Sequence, residues 1–387
     1  MNRNLALVTA SLCVWGIGEG FFIYFQPLYL QEWGADPLLI GGILGSMGIA
    51  MMVAQVPAGY LSDRFGSRAI MWASWILGTL AAWVMALANS LPAFVVGMVI
   101  YGATGFVLAP MNSYITNVRG KLTVGRALTL VSGLYSLGAM IGPIVGGIVA
   151  DKFGLRIVYY FAGGLFFIST LIVLMVDKKP EIHHSDQESS KPKGLFSNYR
   201  FLAFLGITFI TLFALYLPQP FSSNFLQNQH HLSRTTIGLL GAVGSLGTAV
   251  ITLAIGNLNS SIGFVIGQIW MLIFAFFLFK GESAFAFGIG YFFIGGYRFC
   301  RSMVLAIARN LIHPGETGLA YGLIETASAA SMIAAPILAG ALYRNDPYSV
   351  YWISVLLLIF VIALNSILFF SINKRKKPHH DPSTTDL

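Results

Sequence analysis

The sequence predicts an all-α membrane protein with twelve transmembrane helices in two pseudo-symmetric six-helix bundles. Three observations carry that prediction. The 387 residues are 56% hydrophobic and only 10% charged, with a mean hydropathy of +0.74, whereas a soluble domain carries about 25% charge. The apolar residues gather into twelve runs, each long enough to cross a hydrocarbon core of about 30 Å. Lys and Arg are shared unequally between alternate loops, as the positive-inside rule requires of a polytopic chain.

In order, the runs lie near 5–31, 38–60, 69–89, 92–117, 127–150, 156–176, 201–227, 235–256, 262–280, 284–308, 318–342 and 349–372. The first is too long for a signal-peptide core and lacks a convincing small-residue cleavage site, so it reads as a retained span. Runs 2 and 3 flank a short charged loop at 59–68. After run 6 comes the polar stretch 177–199, which opens with Asp177-Lys178-Lys179-Pro180 and reads as a flexible cytoplasmic linker. The last run ends in Lys374-Arg375-Lys376-Lys377, a topology anchor against anionic lipid. The expected organisation is an N-terminal bundle over 1–176, the linker 177–199, a C-terminal bundle over 200–373 and a basic, polar tail over 374–387.

With the N-terminus inside, sixteen Lys and Arg fall on the inner side and five on the outer (Lys152, Arg156, Arg234, Lys280 and Arg344), while Arg298 and Arg301 sit within run 10. Both termini are therefore expected in the cytoplasm, in a multi-pass protein of the cell membrane. The net charge of +8 is a topology signal and gives no ground for a nucleic-acid partner. The halves look like diverged copies. Gln26-Pro27 recurs as Gln219-Pro220, Gly102 as Gly295 and Pro143 as Pro336, each at an offset of 193. Repeated offsets across different helices point to parallel halves about an axis normal to the membrane.

The loop between runs 2 and 3 reads Gly59-Tyr-Leu-Ser-Asp63-Arg64-Phe-Gly66, followed by Arg68. It resembles the signature G-x-L-x-D-R-x-G-R/K-R/K of the major facilitator superfamily, with Ser67 standing where that family usually has a basic residue. A weaker copy is Gly256-Asn-Leu258-Asn-Ser260-Ser-Ile-Gly263, where Ser260 replaces the acid. The resemblance covers about residues 5–372. It implies the two-bundle fold of that superfamily and alternating access driven by a proton or other ion gradient, with no cofactor. In that reading Gly59, Asp63, Arg64, Gly66 and Arg68 form a gating element that holds one conformation and breaks in the other. A tight turn with surface charges is the plainer alternative.

Run 5 carries Gly138-Ala-Met-Ile-Gly142-Pro143-Ile-Val-Gly146-Gly147. Glycines at i, i+4 and i+8 give a smooth face for close helix packing, and Pro143 permits a kink. The pattern resembles G-x-x-x-G-P-x-x-G-G of the antiporter branch, and generic helix packing would explain it equally well. The branch usually carries an Arg in helix 4, four residues before a Gly. Here that frame holds Met98 ahead of Gly102, so the usual proton-relay assignment does not transfer.

Four charges lie within spans at similar depth: Glu19 in run 1, Arg298 and Arg301 in run 10, and Glu325 in run 11. Unpaired charge in a bilayer costs about 3 kcal/mol or more, so these groups face water, solute or one another. One reading has Glu19 couple protons while the arginines hold an anionic solute or modulate Glu19. The other has Glu325 pair statically with Arg301 or Arg298. Tyr24, Gln26, Asn112, Gln219 and Asn224 are secondary cavity candidates, because the resemblance implies that helices 1, 4, 7 and 10 line the pathway. The Gln-Pro pairs can equally serve to bend helices 1 and 7.

His183-His184, His230-His231 and His379-His380 lack acidic or Cys companions at ligand spacing and read as solvated loop residues with no metal role. Cys13 and Cys300 both lie in spans and form no disulfide framework. Neither a Walker loop, H-E-x-x-H nor G-x-S-x-G occurs, so ATP-driven pumping and common hydrolase chemistry are unsupported and no enzyme is expected. The expected function is transmembrane transport: secondary active movement of a small solute, as proton-coupled efflux close to the drug and metabolite antiporters. The alternatives are proton-coupled uptake or exchange of a small anionic metabolite, and a sensor of the same fold that moves nothing. The expected partners are the solute and membrane lipid, with the chain working as a monomer.

Overall fold

A computed structural model describes residues 2–177, 198–255, 259–309, 312 and 317–375. Most of the 177–199 linker, nearly all of the 374–387 tail, and part of the 256–263 copy of the loop signature therefore lie outside the described residues. So do His183, His184, His379 and His380. Within the described residues the structure is helical throughout, without a strand.

The first half comprises α1 (Arg3–Phe22), α2 (Gln26–Glu32), α3 (Pro37–Phe65), α4 (Ser67–Leu87), α5 (Leu91–Ala103), a 3-10 turn (Thr104–Val107), α6 (Leu108–Val118), α7 (Val124–Phe153) and α8 (Leu155–Leu174). The second half comprises α9 (Tyr199–Tyr216), α10 (Ser222–His230), α11 (Arg234–Ile255), α12 (Ser260–Lys280), α13 (Ala284–Phe292), α14 (Gly296–Ala308), α15 (Thr317–Asn345) and α16 (Ser349–Arg375). These helices make twelve spans. Four spans are broken into two segments each: α1–α2, α5–α6, α9–α10 and α13–α14.

The breaks fall in runs 1, 4, 7 and 10, and the sequence supplies the cause. Gln26-Pro27 opens α2, with Pro27 where a first helical turn tolerates a missing N–H. Gln219-Pro220 lies between α9 and α10, so both copies of the repeated dipeptide sit at a break. In run 4 the Thr104 hydroxyl donates to the Tyr101 carbonyl at 2.6 Å beside Gly102, and the helix tightens into the 3-10 turn. In run 10, Gly295 and Gly296 mark the break. Irregular backbone at membrane depth is tolerated where it lines a cavity.

Pro143 and Pro336 behave differently and lie inside the unbroken α7 and α15. Gly66 joins α3 to α4 at φ 86°, ψ 154°, and Gly154 joins α7 to α8 at φ 85°, ψ 162°. Only glycine adopts such angles without strain. The two joints belong to one repeat, because Gly59-x-x-x-Asp63-Arg64-Phe65-Gly66-x-Arg68 returns as Gly147-x-x-x-Asp151-Lys152-Phe153-Gly154-x-Arg156. The offset is three spans, so the copies lie on opposite faces of the membrane.

Each half has its own aromatic core. Phe22, Phe94, Tyr101, Tyr159 and Phe166 pack together in the first. In the second, Phe221 stacks on Tyr343 and Phe225 packs tilted against Tyr351. Large apolar side chains such as Val53, Leu80, Phe161 and Ile367 face outward, which suits lipid. The halves meet where α3 packs on α15 and α7 on α11.

Candidate functional site

Between the halves lies a cavity of about 760 Å3, lined from α1–α7, α9–α11, α14 and α15. Its polar centre is built from both halves. Glu19, on α1, accepts a 2.6 Å hydrogen bond from the Tyr135 hydroxyl on α7. Arg298, on α14, approaches the same hydroxyl and lies beside Glu19 and Tyr24. Arg298 is deep in the molecule yet exposed to the cavity. Tyr101 also stands close to Glu19. The result is a carboxylate and a guanidinium from opposite halves that share one tyrosine.

The other two intramembrane charges pair within the second half: Arg301 donates to Glu325. Arg301 lines the cavity and Glu325 does not. Arg301 and Glu325 are the partners that one of the two sequence readings named. Tyr24, Gln26 and Gln219 line the cavity, and the buried Gln26 amide nitrogen has no partner. Asn112 is off the cavity wall, on the exposed side of α6. Asn224 is buried away from the cavity, where its amide donates to the Pro27 carbonyl at 3.2 Å and to Gln31 Oε1 at 2.6 Å. Its neighbours place it in a contact between the halves.

That contact belongs to a set on one face. The face carrying the start of α1 and the end of α16 is here the terminal face, and the opposite one the distal face. On the distal face Gln31 also bonds Asn228 at 3.0 Å, and Arg234 pairs with Glu32. Asp151, at the end of α7, accepts from the backbone N–H groups of Arg234 and Thr235 at 3.1 and 2.8 Å and from the Thr235 hydroxyl at 2.6 Å. A carboxylate of the first half thus caps the N-terminus of α11 in the second, with favourable dipole alignment. The other described hydrogen bond between the halves, from the Ser245 hydroxyl to the Ala139 carbonyl at 3.1 Å, lies at mid-depth, and toward the terminal face a Cβ added at Gly133 on α7 or Gly322 on α15 would meet nothing within 4 Å. The cavity is open on the terminal side and shut on the distal side.

The run 5 glycines divide by partner. A Cβ at Gly138, Gly142 or Gly146 would come within 2.5 Å of a backbone carbonyl oxygen of α1, at Cys13, Ile17 and Phe21. Gly147 instead abuts Arg234 of α11, and the Pro143 carbonyl abuts Gly238. Three glycines therefore seat α1 inside the first half, while Gly147 and Pro143 lie at the junction of halves. In the loop signature, Gly59 and Asp63 lie within α3, with the Asp63 side chain outside the described residues. Arg64 is exposed above the Phe65 ring at 5.5 Å, and Arg68 stacks on Trp72 at 3.9 Å. Neither arginine pairs with a described carboxylate, which accords with an open terminal face.

His230 corrects the solvated-loop expectation. It lies in α10 between the rings of Phe225 and Phe287. His231 is exposed at φ 53°. Among the described residues, no three His, Cys, Asp or Glu side chains gather as a metal set.

Sequence reasoning missed Tyr135 and the distal residues Gln31, Glu32, Asp151, Asn228 and Arg234. Asp151 carried a signal, the second copy of the loop signature. Tyr135, one of 16 tyrosines, carried none.

Two halves of six spans around a central polar cavity define a polytopic carrier-type architecture. The family profile of the Major Facilitator Superfamily matches residues 7–218 and again residues 204–386, and the chain belongs to that family. An uncharacterized MFS-type transporter of Methanocaldococcus jannaschii is 31% identical over 180 residues, 45% of this chain and 46% of that protein. Multidrug resistance protein 1 of Bacillus subtilis is 22% identical over 233 residues, 57% of this chain and 60% of that protein. The chain thus spans about half the length of these curated relatives. In fold it is similar to a mutant form of the nucleoside transporter NupG, with a TM-score of 0.80 at 15% identity over 95% of this chain and 99% of that one.

Proposed function

We propose that this chain is a proton-coupled secondary transporter of a small solute that works by alternating access, with Glu19 as the coupling carboxylate and the terminal face in the cytoplasm. The observation that carries this reading is Glu19 of the first half hydrogen-bonded to Tyr135, with Arg298 of the second half beside them, in a cavity between the halves. A titratable carboxylate in a membrane-embedded cavity is a proton site by default. Its proximity to a cation of the opposite half ties protonation to the relative placement of the halves. The family fold supports the alternating-access step, and the loop charge bias supports the orientation.

Efflux draws support from the names of partial relatives, among them the quinolone resistance protein NorA of Staphylococcus aureus, 24% identical over 182 residues, 46% of this chain and 47% of that protein. Proton-coupled uptake or exchange of an anionic metabolite draws support from Arg298, which repels a cationic drug at the same depth. Reconstitution into liposomes with a pH gradient tests the proposal. Wild-type protein is expected to move solute with the gradient, and Glu19→Gln to fold normally and lose the dependence on pH. Binding without flux would mark a sensor, and unchanged pH-dependent flux in Glu19→Gln would remove Glu19 from the coupling step.

A further inference from the structure

We infer that the cavity takes an organic monoanion with an apolar body, and that this anion binds together with a proton on Glu19 because the two carboxylates share the single guanidinium of Arg298. The inference rests on the proton-coupled reading above and fixes its solute class and the sign of its coupling.

Glu19, Arg298 and Arg301 are the charged residues among those that line the cavity. Arg301 is met by Glu325, which leaves Glu19 and Arg298, joined through the Tyr135 hydroxyl. With Glu19 ionised, the pair is neutral. A second carboxylate entering that space would add an uncompensated negative charge beside Glu19 in a low-dielectric site, and a like charge favours the protonated form. Protonation of Glu19 leaves one free positive charge at Arg298, which a monoanion neutralises. By linkage, each ligand tightens the other by the same factor. A cationic solute meets the reverse situation, since it needs Glu19 ionised and is repelled by Arg298.

The groups that face Glu19 are Tyr135 from α7, Tyr101 from α5, Tyr24 beyond the end of α1 and Arg298 from α14. Glu19 is the one carboxylate among these groups and carries the proton in this scheme. The rest of the wall decides the body of the solute. Leu12, Leu44, Met47, Met51, Met111 and Met332 present aliphatic and thioether surface around the polar centre. Methionines adapt to varied apolar shapes.

The test uses purified full-length protein in lipid nanodiscs with benzoate and octanoate as probes and their uncharged amides as controls. Binding is read calorimetrically in buffers of different ionisation enthalpy, which reports protons taken up. Wild-type protein is expected to take up about one proton per anion bound, with affinity improving up to about tenfold per unit of falling pH. Glu19→Gln is expected to bind the same anions with no proton uptake and no pH dependence. Arg298→Gln is expected to bind anion and amide equally weakly. Binding of neither anion by wild-type protein, anion binding without proton uptake, or equal binding of anions and amides would overturn the inference. These readouts involve no flux, so absent flux in liposomes overturns the transporter reading alone. Proton-coupled flux of some other solute with no anion binding overturns this inference alone.

Discussion

Glu19 is the one carboxylate among the described residues that line the cavity, and its nearest hydrogen-bond donor is a tyrosine. A donor to a carboxylate stabilises the ionised form more than the protonated one. Tyr135→Phe removes that donor without altering the ring. The pH profile of solute movement in liposomes is therefore expected to shift toward higher pH, with maximal rate little changed. A shift toward lower pH would mean that Tyr135 serves the protonated form. At this scale the sequence was partly legible. Charges inside apolar runs identify themselves because hydrocarbon makes them expensive, so Glu19, Arg298, Arg301 and Glu325 stood out. Which of them meet was not legible, since pairing depends on helix rotation and on which helices become neighbours. Tyr135 was hidden for a related reason, as tyrosine is ordinary in a membrane helix.

Helix packing sets the next scale. α1 lies against α7 through Gly138, Gly142 and Gly146, with backbone on both sides of the contact. A Cβ at Gly142 would stand 2.3 Å from the Ile17 carbonyl oxygen and 2.8 Å from the Gly20 Cα, and neither can swing away as a side chain can. Gly142→Ala is expected to lower stability by about 1–3 kcal/mol, the usual cost of overpacking. Gly133→Ala on the same helix meets open space and is expected to be neutral or to gain up to about 1 kcal/mol from helix propensity. Thermal unfolding in detergent ranks the two, and equal losses would deny the close contact. The glycine spacing made this face readable from sequence, whereas its partner was not. The helix breaks were also half visible. Gln26-Pro27 and Gln219-Pro220 mark two of them, but the 3-10 turn at Thr104 depends on a hydroxyl that bonds back to its own helix, which apolar periodicity does not register.

At the scale of the whole molecule, the twelve spans and their division six and six followed from hydropathy, loop charge and the 193 offset, because burial in lipid constrains every residue of a span. The conformational state did not follow, since it depends on contacts between halves that share no local sequence. Those contacts lie on the distal face, where Asp151 caps α11 and Glu32 pairs with Arg234. They fit one of the two states that the proposed alternating access requires.

The central claim is that the halves rock about this cavity under control of Glu19, and inter-label distances measured by pulsed electron resonance test it most directly. One spin-label pair at Gly133 and Gly322 reports the terminal side, and another at Asp36 and Asn345 the distal side, in a background with Cys13 and Cys300 replaced by Ser. A change of pH is expected to move the two distance distributions in opposite directions, Asp151→Ala to favour the distal-open population, and Glu19→Gln to abolish the response to pH. Distances that stay fixed across pH, or that lengthen and shorten together on both faces, would contradict the account.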